Sequence, residues 1–250
     1  MVAGSIIRTI ASRHGLRSHP SSARLAAIMR DARAALLDRY RRLLHRGSAP
    51  DARRQVLDAE SLRRPRDGAP AVSVAVLVYQ GVAAREVVAA LEGLGAHLSC
   101  EVALVAPQLG RLVAVEPVYI VVPDTTITAA GTADIVVIPG GLGWHALADD
   151  RAVLDWIRRS TETARAVLAV STGSLLVAAA GLLAGERATG HWLATQDLAD
   201  LGAVPDTARI VEGAHVMTAA GATAAVDGAR RIAQRLRWGP TMREPDLGES

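Results

Sequence analysis

Residues able to do chemistry follow apolar runs that predict buried strands, and the clearest case is the run at 166–170. Ser171 and Thr172 come directly after it and precede a helical pattern, which places Ser171 at a sharp strand-to-helix turn. Such a turn presents its side chain beside free backbone amides and the positive end of a helix dipole. With Gly173 next, the segment 169–173 differs by one residue from Gly-x-Ser-x-Gly. The pattern predicts a nucleophile elbow.

Two further strand ends carry polar or glycine-rich features. Gly140 and Gly141 end another apolar run, and glycines allow the backbone to approach a ligand closely. Amides at such a turn can form an oxyanion hole together with the N–H of Thr172. Glu86 is an acid in the otherwise apolar stretch 82–91, soon after the first predicted strand. These residues define the candidate site, with a satisfied, partly buried acid as the alternative interpretation of Glu86.

The patterns around these residues alternate between strand and helix, which predicts how they are positioned. A segment at 113–122, broken by Pro117, is typical of an excursion at a sheet edge. The order predicts a doubly wound, mostly parallel α/β sheet with helices on both faces, whose ligands bind beyond the carboxyl ends of the strands. Predicted strands cover 72–79, 101–106, 135–138, 166–170 and 216–218, and predicted helices cover 84–94, 146–159, 174–183 and 222–237.

The first 70 residues differ from the rest in charge, because they carry 15 Arg and 6 acidic residues for a net +9, while the remainder carries −6. We expect a basic disordered tail over 1–20, an amphipathic Arg-rich helix over 21–46, a linker over 47–71, the α/β domain over 72–237 and a tail over 238–250. The basic segment is suited to an acidic partner or to weak, nonspecific nucleic-acid binding. Packing of its apolar stripe is the favoured alternative.

The composition excludes several classes of protein. Cys100 is the single cysteine, so an intrachain disulfide framework and a multi-cysteine metal site are excluded, and a reducing, cytoplasmic location is expected. No apolar run reaches the roughly 18 residues that span a bilayer. The sequence contains no phosphate-binding loop, dinucleotide fingerprint or HExxH motif, so no cofactor and no metal are predicted.

Several motifs occur along the chain in a characteristic order. They are Ala-Asp-x-x-x-x-Pro-Gly-Gly at 133–141, Val-Ser-Thr-Gly at 170–173, Ala-Ala-Gly-Leu-Leu at 179–183, Ala-Thr-Gly-His-Trp at 188–192 and a Thr-x-x-Gly stretch ending in Asp at 218–227. This order of motifs resembles the ThiJ/PfpI superfamily of class I glutamine-amidotransferase-like domains. The branch it resembles most contains isocyanide hydratases and the amino-terminal domains of AraC-type regulators. The resemblance implies a flavodoxin-like fold and a homodimer.

The same resemblance assigns roles to individual residues. Ser171 occupies the position of the reactive cysteine, Glu86 that of the acid that hydrogen-bonds it, and His191 that of a nearby histidine. The amides of Gly141 and Thr172 would stabilise an oxyanion or a bound anion. Serine is a departure from the family pattern, because its hydroxyl lacks the readily formed thiolate of cysteine and needs a general base within hydrogen-bond reach.

Two functional hypotheses follow from that departure. In the first, the domain binds a small molecule non-covalently and acts as a regulatory module. In the second, it is a hydratase or hydrolase of the isocyanide hydratase type that acts on a small electrophile, using Ser171 as nucleophile or Glu86 to activate water.

Overall fold

The computed structural model describes residues 56–115 and 119–238 of the chain. Its strands, numbered in chain order, are β1 Val56–Leu57, β2 Ala71–Leu77, β3 Ser99–Ala106, β4 Leu112–Ala114, β5 Tyr119–Val121, β6 Thr125–Thr126, β7 Ile135–Ile138, β8 Ala166–Val170, β9 Arg187–Ala188, β10 Val204–Pro205, β11 Ile210–Glu212 and β12 Val216–Ala219. Its helices are α1 Ala59–Leu62, α2 Ala84–Gly95, α3 Trp144–Leu147, α4 Arg151–Thr163, α5 Gly173–Ala179, α6 Thr195–Asp200 and α7 Ala222–Trp238, with a 3₁₀ helix at Trp192–Ala194.

The main sheet has the strand order β11-β12-β8-β7-β2-β3-β6. All neighbouring pairs are parallel except β11 with β12. From β2 the chain crosses to β3 on one side, whereas from β7 it crosses to β8 on the other. Because such crossovers are right-handed, α2 and α4 lie on opposite faces of the sheet. The predicted doubly wound α/β fold is therefore confirmed.

The central strands form because they can be buried on both faces. Every residue of β7 and β8 is buried, and both strands consist only of alanine and branched aliphatic residues. This composition is expected of parallel strands covered by helices on each side. The carboxyl ends of β2, β7 and β8 consequently meet at one edge, where the candidate residues follow them.

The helices pack closely where small residues permit it. In α2, a Cβ added at Gly93 would lie 2.4 Å from the Val226 carbonyl oxygen, so the absence of a side chain lets α2 and α7 approach each other. The start of α4 is fixed by Asp150, whose carboxylate accepts hydrogen bonds from the amides of Ala152 and Val153 at 3.0 and 3.4 Å. This cap divides the single helix predicted over 146–159 into α3 and α4.

The second half of the predicted linker 47–71 contains ordered structure. Strand β1 pairs in parallel with β5, and α1 begins with a capping box between Asp58 and Ser61. Leu57 and Leu62 are 8% and 2% exposed and belong to the hydrophobic core. Residues 56–70 carry three arginines and three acids, so the net +9 of the first 70 residues lies entirely in residues 1–55.

The expected tail over 1–20, the amphipathic helix over 21–46 and all of the tail after 238 lie outside the described residues. Within the described ranges, no helix is long and apolar enough to cross a membrane.

Candidate functional site

Ser171 forms a strained turn between β8 and α5. Its φ of 59° is the only positive φ of a non-glycine residue in the described part of the chain, and its side chain is 4% exposed. Its amide donates to the carbonyl oxygen of Ala219, at the end of β12, over 2.7 Å. A residue held in the left-handed region costs about 1 kcal/mol or more and persists where the surroundings fix it. The local geometry is that of the predicted elbow.

The helix after the elbow begins directly against the end of β7. A Cβ added at Gly173 would lie 2.1 Å from the carbonyl oxygen of Ile138, a backbone atom that cannot rotate away. Only glycine permits this approach. The contact places the glycine turn after β7 next to Ser171 and Thr172.

Glu86 enters the same space from the first turn of α2. It is 4% exposed, and its Oε2 accepts a hydrogen bond from the Gly140 amide at 2.7 Å. The position that a Cβ on Gly140 would occupy lies 2.9 Å from Glu86 Oε2, 2.7 Å from Thr172 Oγ1 and 2.8 Å from the Thr172 amide nitrogen. A carboxyl group, a hydroxyl group and an amide therefore converge on one glycine. The structure brings together the three strand ends that the sequence singled out.

The glycine amides expected to form an oxyanion hole already have acceptors. The Gly140 amide donates to Glu86, and the Gly141 amide donates to Thr172 Oγ1 at 3.0 Å. The Thr172 hydroxyl in turn donates to the Gly141 carbonyl oxygen at 3.2 Å. An oxyanion bound by the predicted pair, Gly141 and Thr172, would first have to displace the Thr172 hydroxyl. This geometry favours a closed, self-satisfied turn over an open oxyanion hole.

His191 lies beside the elbow but in a form unsuited to act as its base. A Cβ added at the preceding Gly190 would lie 2.9 Å from the Ser171 carbonyl oxygen. His191 Nδ1 accepts a hydrogen bond from the Leu193 amide at 3.2 Å and caps the 3₁₀ helix. A neutral imidazole whose Nδ1 is an acceptor carries its proton on Nε2, which is then a donor. In this tautomer the lone pair of the neutral ring, on Nδ1, is already used by the Leu193 amide and not by the proton of Ser171.

Two tryptophans follow the loops that form the site. Trp192 is 50% exposed, and its ring stacks on that of His191 with centroids 5.8 Å apart. Trp144 follows the glycine turn, and its ring centroid lies 3.8 Å from that of His145. Indole rings at such positions offer apolar surface to a ligand.

Two contacts of the site escaped the sequence interpretation. Thr172 was expected to contribute its amide, and its side-chain hydroxyl proves to bind Gly141. Tyr79, at the end of the first strand pattern, is 2% exposed and donates from its hydroxyl to the Pro139 carbonyl oxygen at 3.0 Å. The available signal was that a tyrosine within an apolar buried run needs a hydrogen-bond partner.

Cys100 lies at the amino-terminal start of its strand, whereas the candidate residues follow the carboxyl ends of theirs. It is the second residue of β3, is 3% exposed, and exchanges backbone hydrogen bonds with Arg64. Burial raises the pKa of its thiol from 9.0 to about 11, against a smaller lowering by the nearby charge of Arg64. Among the described residues, no cluster of three potential metal ligands occurs.

Comparison with known proteins gives a consistent result. Residues 72–235 match the DJ-1/PfpI family. A segment of 114 residues, 46% of the chain, is 43% identical to isonitrile hydratase of Pseudomonas putida and covers 50% of that protein. A segment of 50 residues, 20% of the chain, is 46% identical to an HTH-type transcriptional regulator of Mycobacterium tuberculosis and covers 19% of it. The structure of a ThiJ/PfpI family protein from Pseudomonas syringae matches with a TM-score of 0.63 and 30% identity, over 68% of this chain and 70% of that one.

Proposed function

Because this chain belongs to the DJ-1/PfpI family, we propose that its α/β domain binds a small molecule non-covalently and serves a regulatory role. The observation that carries the proposal is the serine at the elbow, Ser171, in the position that the resemblance assigns to a reactive cysteine. A cysteine there gains nucleophilicity when its thiol ionises, whereas a serine hydroxyl needs a base to take its proton.

His191, the candidate base beside the elbow, is already engaged. The ring nitrogen of His191 that has a lone pair, Nδ1, is occupied by the Leu193 amide. Both glycine amides of the turn donate to side chains, so neither amide is available to stabilise the negative charge that develops on a substrate after attack. What this arrangement offers a ligand is hydrogen bonding and apolar surface, which are the requirements of reversible binding.

The regulatory part of the proposal rests on the charge distribution and on one relative. The net +9 of residues 1–55 provides an electrostatic contact for an acidic partner or, weakly, for nucleic acid. The transcriptional regulator of Mycobacterium tuberculosis is 46% identical to the chain over an aligned segment of 50 residues. We also propose that the protein is cytoplasmic and forms a homodimer. Light scattering on the purified protein tests the homodimer.

An aryl isocyanide is the probe that tests the binding proposal. We expect saturable, reversible quenching of tryptophan fluorescence through Trp192, with no formamide product. The Ser171→Cys variant should gain formamide production, and a Ser160→Cys variant, which adds a thiol on α4, should not. Formamide production by the wild-type protein that is lost in Ser171→Ala would overturn the proposal.

A second candidate function is hydration by Glu86-activated water, favoured by the 43% identity to isonitrile hydratase. Water adds its oxygen to the isocyanide carbon while the Glu86 carboxylate takes one of its protons. Return of that proton to the same carbon regenerates the carboxylate and gives a formimidic acid, and transfer of the remaining hydroxyl proton from oxygen to nitrogen then gives the formamide. In this case the wild-type protein produces formamide, Ser171→Ala retains the activity, and Glu86→Gln loses it.

A further inference from the structure

One buried tyrosine contacts the glycine turn from the side opposite to Glu86. Tyr79 follows β2 and is 2% exposed, and its hydroxyl donates to the Pro139 carbonyl oxygen at 3.0 Å. Its ring also lies beneath the turn, since a Cβ added at Gly143 would be 3.1 Å from Tyr79 Cδ2. The hydroxyl and the ring thus contact two points of the same loop.

The two hydrogen bonds of Tyr79 and Glu86 hold a single peptide group. The Pro139 carbonyl and the Gly140 N–H belong to one planar unit and point in opposite directions. Tyr79 binds the oxygen at 3.0 Å, and Glu86 Oε2 binds the hydrogen of the N–H with a nitrogen–oxygen distance of 2.7 Å. Because the unit is rigid, fixing the direction of the oxygen also fixes that of the N–H.

We propose that Tyr79 is a positioning residue of the site, whose hydroxyl keeps this peptide turned so that a donor faces Glu86. A glycine follows the peptide, and glycine tolerates the backbone rotations that a reversal of the peptide requires. In the reversed orientation a carbonyl oxygen would face the carboxyl group of Glu86, and the hydrogen bond that locates that carboxyl group would be lost. Tyr79 therefore sets the polarity of the surface that the turn presents to the elbow.

The effect reaches the elbow through Thr172. The Thr172 amide and Glu86 Oε2 both lie within 2.9 Å of the position that a Cβ on Gly140 would occupy, and Ser171 is the residue before Thr172. A change in the direction of the peptide would move Glu86 relative to these atoms. The inference rests on the ligand site proposed above, but its first readout needs no ligand and succeeds or fails independently of that proposal.

The test compares Tyr79→Phe with Tyr119→Phe, a matched removal of a hydroxyl from the β5 strand. The first readout is the amide proton chemical shift of Gly140 in the ¹⁵N-labelled full chain. Since the hydrogen bond to the carbonyl polarises the peptide, its loss weakens donation to Glu86. We expect the Gly140 resonance to move upfield in Tyr79→Phe more than any other glycine resonance, and to stay in place in Tyr119→Phe.

The second readout is the rate at which iodoacetamide alkylates the Ser171→Cys variant, with and without Tyr79→Phe. The expected change is about two- to tenfold, the range that one neutral hydrogen bond represents. An unchanged Gly140 resonance with an unchanged rate, in a folded variant that is merely less stable, would show that Tyr79 only packs. If Tyr79→Phe does not fold, fluorotyrosine incorporation replaces it. The more acidic phenol should move the Gly140 resonance downfield, and an unmoved resonance contradicts the proposal.

Discussion

The close contact between α5 and β7 makes a strong prediction about Gly173→Ala. Gly173 is the first residue of α5, where alanine would normally favour the helix by up to about 1 kcal/mol. The added Cβ, however, would lie 2.1 Å from the Ile138 carbonyl oxygen and 2.9 Å from the Ile138 carbonyl carbon. Overpacking costs about 1–3 kcal/mol where side chains can adjust. Here the added Cβ meets backbone atoms of a buried central strand, which cannot adjust, so we expect the free energy of unfolding to fall by about 3 kcal/mol or more.

Urea unfolding of the full chain measures this loss, and Gly131→Ala is the matched control. Gly131 has no atom within 4 Å of an added Cβ and no positive φ, so alanine there should be neutral or stabilising by up to about 1 kcal/mol. The two substitutions are chemically identical and differ only in their surroundings. If the free energy of unfolding of Gly173→Ala lay within about 0.5 kcal/mol of that of wild type, the elbow would not be packed against β7 as described.

Three further predictions concern stability and reactivity. Leu62→Ala should cost about 2–5 kcal/mol in urea unfolding because Leu62 is 2% exposed in the core, and a loss below about 1 kcal/mol would contradict its place there. Ser171→Gly should stabilise the protein by up to about 1 kcal/mol, because it relieves the φ of 59°, and destabilisation would argue against strain. Cys100 should resist iodoacetamide at pH 8. Because its pKa rises from 9.0 to about 11 on folding, the folded state holds the thiol proton more tightly than the unfolded state. The contribution of this group to the free energy of unfolding should therefore be complete below pH 9 and decline as the pH rises toward 11, and Cys100→Ala should not show this decline.

The sequence predicts the sheet well because its central strands obey a simple requirement. Strands β7 and β8 have the predicted bounds, 135–138 and 166–170, since a parallel strand covered on both faces must be apolar throughout. The rule that ligands bind at the carboxyl ends of such strands then brings Ser171, Gly140 and Glu86 together. Convergence of these residues was predictable without knowing any distance.

The predicted boundaries of the linker and of one helix were wrong, because local capping signals outweighed the composition of the segment. Residues 47–71 contain prolines, glycine and many charges, which are typical of a linker, yet Leu57 and Leu62 are buried. The capping box of Asp58 and Ser61 was a local signal for a helix there. Likewise, Asp150 marked the start of α4 inside a segment whose apolar periodicity predicted one helix.

The directions of hydrogen bonds in the site could not be predicted from the sequence. Whether the Gly141 amide faces a ligand or the Thr172 hydroxyl depends on the rotation of individual peptide planes. Which nitrogen of His191 is the acceptor depends on the 3₁₀ turn that brings the Leu193 amide to it. These details carry the distinction between a catalytic serine and a binding site, and they follow from tertiary packing.

The most direct test of a non-covalent site is intact-protein mass spectrometry after incubation with a fluorophosphonate. An activated serine oxygen forms a bond to phosphorus and expels fluoride, which adds a defined mass to the protein. The proposed function predicts no adduct at Ser171, with wild type and Ser171→Ala giving the same spectrum. A stoichiometric adduct that maps to Ser171 and is absent from Ser171→Ala would contradict it.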